Sequence, residues 1–116
     1  MDQNKCLDAG INYEEGVARF VGNAEIYNKF LNDFISDTTF SDLEAAMNDK
    51  NIEAAFQAGH TLKGVAGNLS LNNLYDKLVV FVDALRGDGN LPLAESLYPG
   101  VQEDYKNAVS FIKENF

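Results

Sequence analysis

One cysteine, one histidine, two prolines and no tryptophan stand among the 116 residues, and each scarcity excludes something. Cys6 alone cannot form an internal disulfide, and Cys6 with His60 cannot supply the three or four soft ligands of a structural zinc site. Cys6 has only Lys5 as a basic neighbour in sequence, which reads as a bystander near a fraying terminus rather than a nucleophile. Both prolines, Pro92 and Pro99, fall in the last quarter, so everything before Pro92 is free to be helical. Positive charge is scarce as well, with 9 Lys and Arg against 18 Asp and Glu and a formal net charge of -9. That balance repels polyanions, so nucleic acid is not an expected partner, and anionic membrane surfaces are disfavoured for the same reason. No apolar run approaches the roughly 20 residues that span a bilayer. The opening stretch Met1–Gly10 lacks the apolar core of a signal peptide, and the expectation is a soluble, cytoplasmic chain.

What is present is apolar periodicity. At 46% hydrophobic, a chain of this length can bury a core without staples, and the whole of residues 1–116 is expected to be one domain. No segment sustains the period-two alternation of a strand. After a turn signal at Gly10, Asn12 with Glu15 three residues on predicts a short helix to about Phe20. Asn23 opens a longer helix whose Tyr27, Phe30, Leu31 and Phe34 share a face. Ser41 and Glu44 have the spacing of a capping box ahead of Leu43 and Met47, and Asn51 reads as the next N-cap. From there Ile52, Ala55, Gly59, Leu62, Ala66 and Leu69 form a seam spaced three and four apart. A break near Ser70 to Asn73 precedes a second seam, Leu74, Leu78, Phe81, Val82 and Leu85, ending at the turn-rich Gly87-Asp88-Gly89-Asn90. A separate helical turn is expected at Leu93 to Leu97, then a last helix with Pro99 in its first turn and Val101, Tyr105, Ala108, Ile112 and Phe116 along it. Amphipathic helices joined by short loops predict an all-α fold: an antiparallel up-and-down four-helix bundle with an extra short N-terminal helical segment.

One stretch carries chemistry: Ala58-Gly59-His60-Thr61-Leu62-Lys63-Gly64-Val65-Ala66-Gly67-Asn68-Leu69. Projected at 100° per residue, His60 points about 135° away from the centre of the buried seam, placing it on the surface beside the core stripe. Phe56 and Gly64 lie one turn before and after it, with Lys63 and Gly67 at offsets of three and seven. Glycine within a helix costs about 1 kcal/mol relative to alanine, and Gly59, Gly64 and Gly67 crowd into this short span. Close helix packing accounts for Gly59 on the seam. On the exposed side Gly64 and Gly67 instead strip side chains from around the imidazole, so that a large partner with its own buried reactive atom can approach. Lys63 can neutralise negative charge developing on a phosphoryl group in transfer, where catalysis is mostly positioning and electrostatics. A neutral imidazole offers a nitrogen lone pair to attack phosphorus. Thr61 points elsewhere. A lone histidine is ordinarily structural or merely solvated, and on composition and spacing that reading and the functional one stand side by side.

At this stretch the chain resembles the histidine-containing phosphotransfer family, whose hallmark is alanine-histidine, any residue, leucine, lysine and glycine. His60-Thr61-Leu62-Lys63-Gly64 matches without gaps, and Ala66, Asn68 and Leu69 are similar to the continuation. Gly10-Ile11, Arg19-Phe20, Gly22-Asn23, Tyr27 with Leu31, Asp83 and Arg86-Gly87-Asp88 resemble the flanking regions in the right order. Gly59 stands where the family usually has alanine, and Ser70 where a glycine commonly ends the motif. Neither departure removes a functional group. The resemblance implies reversible phosphorylation of His60 by the phospho-aspartate of a receiver domain, in a response regulator or hybrid histidine kinase. It implies donation onward to another receiver, with Lys63 assisting and Phe56, Gly64 and Gly67 facing the partner. The metal for that chemistry would belong to the receiver, so no metal or cofactor is expected here. No G-x-x-x-x-G-K loop occurs, so the chain is expected to be a phosphocarrier and protein substrate rather than an enzyme, and a monomer. Three other readings compete with it: a docking module of the same fold with an incidental His60; an acyl carrier, which needs an Asp-Ser-Leu that Leu69-Ser70-Leu71 lacks; and the phosphoacceptor domain of an ATP-driven histidine kinase.

Overall fold

The computed structural model describes residues 1–116 as seven helices without a strand: α1 Gln3–Asp8, α2 Tyr13–Arg19, α3 Ala24–Ile35, α4 Thr39–Asn48, α5 Ile52–Asn68, α6 Asn72–Leu85 and α7 Leu91–Asn115. Asparagine starts many of them. Asn12, Asn23, Asn51 and Asn90 each accept, through the side-chain oxygen, the N–H of the residue three further on, at 3.0–3.1 Å. Each such cap contributes about 1 kcal/mol by satisfying an otherwise orphaned donor.

Consecutive helices from α4 to α7 pack side by side as antiparallel neighbours, joined by short turns. The stripe of α5 (Ala55, Gly59, Leu62, Ala66) meets that of α6 (Leu74, Leu78, Phe81, Val82, Leu85), and all of these residues are buried. Gly59 allows this approach, since a Cβ there would stand 3.2 Å from Val82 Cγ2 and 3.4 Å from the Phe81 ring. α3 and α4 are separated only by Ser36 to Thr38, and α3 lies along α7 while α4 lies along α5. Phe34 packs edge-on against Tyr105, and Phe40 stacks flat on the same ring with centroids 3.9 Å apart. At about 1.5 Å per residue, α7 is long enough to back both, and it sets the 41 Å long axis of a body only 22 × 21 Å across. No helix is long and apolar enough to cross a membrane.

The helices depart from the sequence expectations in five places. Ser41 and Glu44 form no capping box: α4 begins at Thr39, Thr38 offers no side-chain cap, and Asp37 accepts the Thr39 N–H at 2.7 Å. The earlier start brings Phe40 into the helix, where it stacks on Tyr105. Pro99 does not open a helix. Pro92 occupies the first turn of α7, which continues unbroken through Pro99. The ring removes the N–H that would bond Glu95, but both residues are exposed, so water reaches the freed carbonyl, while Ala94 and Val101 bury on either side. Cys6 is fully buried within α1, which the sequence reading did not separate, and burial pushes its thiol pKa up. The chain after α5 turns at Leu69 to Leu71, so α6 starts at Asn72, ahead of Leu74. Phe30 lies off the buried stripe of α3, being 42% exposed while Tyr27, Leu31 and Phe34 are buried.

The two N-terminal helices close over one end of the bundle. The Tyr27 hydroxyl donates to the Leu69 carbonyl at 2.6 Å, tying α3 to the end of α5, and burial raises its pKa well above the ordinary phenol range. α2 lies close because Gly16 faces Tyr27, where a Cβ would collide with the phenol ring. The backbone of the α5–α6 turn is bonded in the same way, Asn12 N–H to the Ser70 carbonyl at 3.0 Å and Asn73 N–H to the Gly10 carbonyl at 3.2 Å.

Candidate functional site

His60 lies in the middle of α5, and its ring is exposed. The seam that buries Ala55, Gly59, Leu62 and Ala66 turns this position outward, as the helical projection anticipates. Phe56, one turn earlier and half-buried, lays its ring beside the imidazole at a centroid distance of 5.9 Å and a tilt of 33°. The Arg86 guanidinium sits 5.3 Å over that same phenylalanine ring, reaching it from the end of α6. The same guanidinium pairs with Asp83 at 3.4 Å, so the edge it adds to the His60 neighbourhood is an ion pair laid over an aromatic ring.

One turn after His60, Gly64 is exposed, and a Cβ added there would meet nothing within 4 Å. No neighbour within the molecule requires a glycine at this point, so the helix bears its cost of about 1 kcal/mol without a packing reward. Gly67 differs from the expectation. A Cβ there would press on the Tyr75 ring at 3.2 Å, so packing against α6 does call for a small residue, and Gly67 is half-buried. Thr61 is exposed on another side of α5.

Lys63 is half-buried and forms none of the chain's five ion pairs. Its ammonium is therefore not neutralised from within the molecule, which leaves it available to an external anion. With Gly64, Gly67 and Asn68 it forms one wall of a polar groove of about 550 Å³. Asn72, Tyr75 and Asp76 of α6 form the opposite wall, and Glu15 and Arg19 of α2 close the end. A smaller, apolar hollow lined by Phe20, Phe30, Phe34, Val65 and Leu69 adjoins it, with Asn68 common to both. No group of three or more His, Cys, Asp or Glu side chains is placed to hold a metal ion.

Several groups here had no sequence signal of their own role. Arg86 and Tyr75 reach the site from α6 across the helix interface, and Arg19 and Glu15 come from the N-terminal cap. The alternation of glycines and the lysine around the histidine is local, and could be read. Contacts made between helices could not.

The family model described as the Hpt domain matches residues 25–111, three quarters of the chain, running from the start of α3 to near the end of α7 and including the whole of α5. No curated protein and no solved structure matches the chain.

Proposed function

The chain belongs to the Hpt domain family, whose members take part in histidine phosphotransfer in two-component phosphorelays, and from that premise we propose that His60 is the residue that carries the phosphoryl group. Its donor and acceptor are aspartates of receiver domains, in response regulators or hybrid histidine kinases. The observation that carries this reading is the combination at one turn of α5: an exposed imidazole, a bare backbone at Gly64, and an unpaired Lys63.

The step is a displacement at phosphorus. A nitrogen of the neutral imidazole directs its lone pair at the phosphorus of a receiver's aspartyl phosphate. The P–N bond forms as the acyl phosphate P–O bond breaks, and the aspartate leaves as a carboxylate with the bonding electrons. Transfer to the next receiver is the reverse, with its carboxylate attacking and the imidazole leaving. Negative charge spread over the three equatorial oxygens is what a preorganised cation stabilises best, and Lys63 is placed on the same flank of α5 to supply it. The bare surface at Gly64 lets the receiver backbone come close, and Phe56 gives it an apolar contact beside the ring. The protein acts as carrier and substrate, as a monomer in the cytoplasm.

The test is labelling by a phosphorylated receiver. The chain is expected to take up one phosphate that is lost in acid and kept in base, and His60→Gln to take up none. Retained labelling of that variant would remove His60 from the role. Lys63→Ala should slow transfer by roughly 10- to 150-fold, as loss of a charge-assisted contact of about 1.5–3 kcal/mol requires, with an unchanged melting temperature. A rate equal to wild type would leave Lys63 a bystander.

A further inference from the structure

Ser70, in the turn between α5 and α6, is completely buried and has a φ of +55°, a left-handed conformation that glycine adopts without strain. A serine in that place has a use for its hydroxyl. Ser70 Oγ accepts from Arg19 Nε at 3.1 Å and donates to Glu15 Oε1 at 2.9 Å, while Arg19 Nη2 lies 3.6 Å from the same Glu15 oxygen. A buried hydroxyl thus fixes one edge of a guanidinium carried by a different helix.

The geometry of arginine says what is left over. Guanidinium has five N–H donors in a rigid plane. The side edge made by Nε and Nη2 is turned toward Ser70 and Glu15. The end edge, Nη1 with the outer N–H of Nη2, has no partner in the chain, and the side chain is 50% exposed. That edge belongs to a side chain lining the groove that also contains Lys63, Gly64 and Gly67. Paired N–H groups in one plane match the two oxygens of a carboxylate. Glu15, the nearest acid, is already engaged, and Asp76 belongs to the α6 wall. The groove sets two cations, Lys63 and Arg19, against two acids, Glu15 and Asp76, and so is formally neutral in a chain whose net charge is -9.

We propose that Arg19 is a second docking cation of the phosphotransfer face, held in place by Ser70 and Glu15, and that it binds a carboxylate on the surface of the incoming receiver. The proposal rests on the reading of His60 as the phosphocarrier. Arg19 is carried by α2, on a different element from His60 and Lys63, so its part is in holding the receiver rather than in the transfer itself. Locking the guanidinium before the partner arrives removes the ordering cost that a free arginine would meet on binding.

The test is single-turnover transfer at varied concentrations of a phosphorylated receiver, the one that labels the wild-type chain fastest, with KM the half-saturating concentration and kcat the rate at saturation. Arg19→Gln is expected to raise KM roughly tenfold, the loss of one charge-assisted contact, with the effect concentrated in KM rather than kcat and shrinking as salt is raised. Arg19→Lys keeps the charge without the fork and should recover part of the loss at low salt. Ser70→Gly keeps the left-handed backbone but frees the guanidinium, and should raise KM by a smaller factor. An unmoved KM in Arg19→Gln overturns the proposal, as does a fall in kcat and melting temperature that Ser70→Gly reproduces in full, since that is the mark of a purely structural clamp. A wild-type chain that accepts no phosphate from any receiver defeats the carrier reading itself, and the docking role with it.

Discussion

Gly64 occupies an exposed turn of α5 where a methyl group would touch nothing, so the fold and the proposed chemistry make opposite demands on it. Gly64→Ala should raise stability by up to about 1 kcal/mol, the helix propensity difference, read from urea unfolding. The same substitution should slow receiver-dependent transfer, because the added carbon stands where the partner's backbone must approach. If transfer is as fast as wild type, the bare surface has no role in docking. Much of this was legible at the level of single residues. His60 sits off the apolar seam by its spacing alone, and Lys63 and Gly64 follow it on the same helix. Gly67 was read less well, because its reason is the Tyr75 ring of α6, and a contact between helices leaves no mark on local spacing.

Among the elements, α7 shows how packing overrides a local rule. A proline inside a helix costs about 3 kcal/mol, and the sequence alone places a helix boundary at Pro99. In the fold, the long seam of α7 against α6 and α3, with Phe40 of α4 stacked on Tyr105, holds both sides of the proline in register. Pro99→Ala should therefore raise the thermal midpoint, since it restores one backbone hydrogen bond without moving the stripe, and should leave transfer untouched. A lowered midpoint would mean that the ring itself packs usefully. The helix starts were the more legible features, because an asparagine cap acts within three residues of itself. Three of the four asparagine caps are readable in this way at Asn12, Asn23 and Asn51. The bonds that fasten α2 to the α5–α6 turn are not, since they join residues 51 and 55 positions apart.

Taken whole, the molecule buries phenols that resist ionisation, and this sets its behaviour in alkali. The Tyr98 hydroxyl is buried without a hydrogen-bond partner, and its pKa is pushed up to about 12 by burial and, secondarily, by the charge of Glu44. Tyr27 and Tyr105 are raised for the same primary reason. In the unfolded chain these phenols ionise near the ordinary value of about 10. Above that pH the unfolded state binds fewer protons than the folded one, so stability is intact below about 10 and falls as pH rises toward 12 and beyond. Melting temperatures measured from pH 8 to 12 should show this decline. Tyr98→Phe should make it shallower, with the share of Tyr27 and Tyr105 remaining, and cost little at neutral pH, because the hydroxyl it removes has no partner to lose. A decline as steep in Tyr98→Phe as in wild type would assign the alkaline loss to other groups.

The whole account turns on where the phosphate is held. Fragmentation mass spectrometry of the receiver-labelled chain, kept at alkaline pH to preserve a phosphoramidate, reads that position directly. The added phosphoryl mass should fall on His60 and on no other residue. A phosphate mapped to a serine, threonine or carboxylate, or a chain that leaves the reaction unmodified, would contradict the assignment of His60 as the carrier.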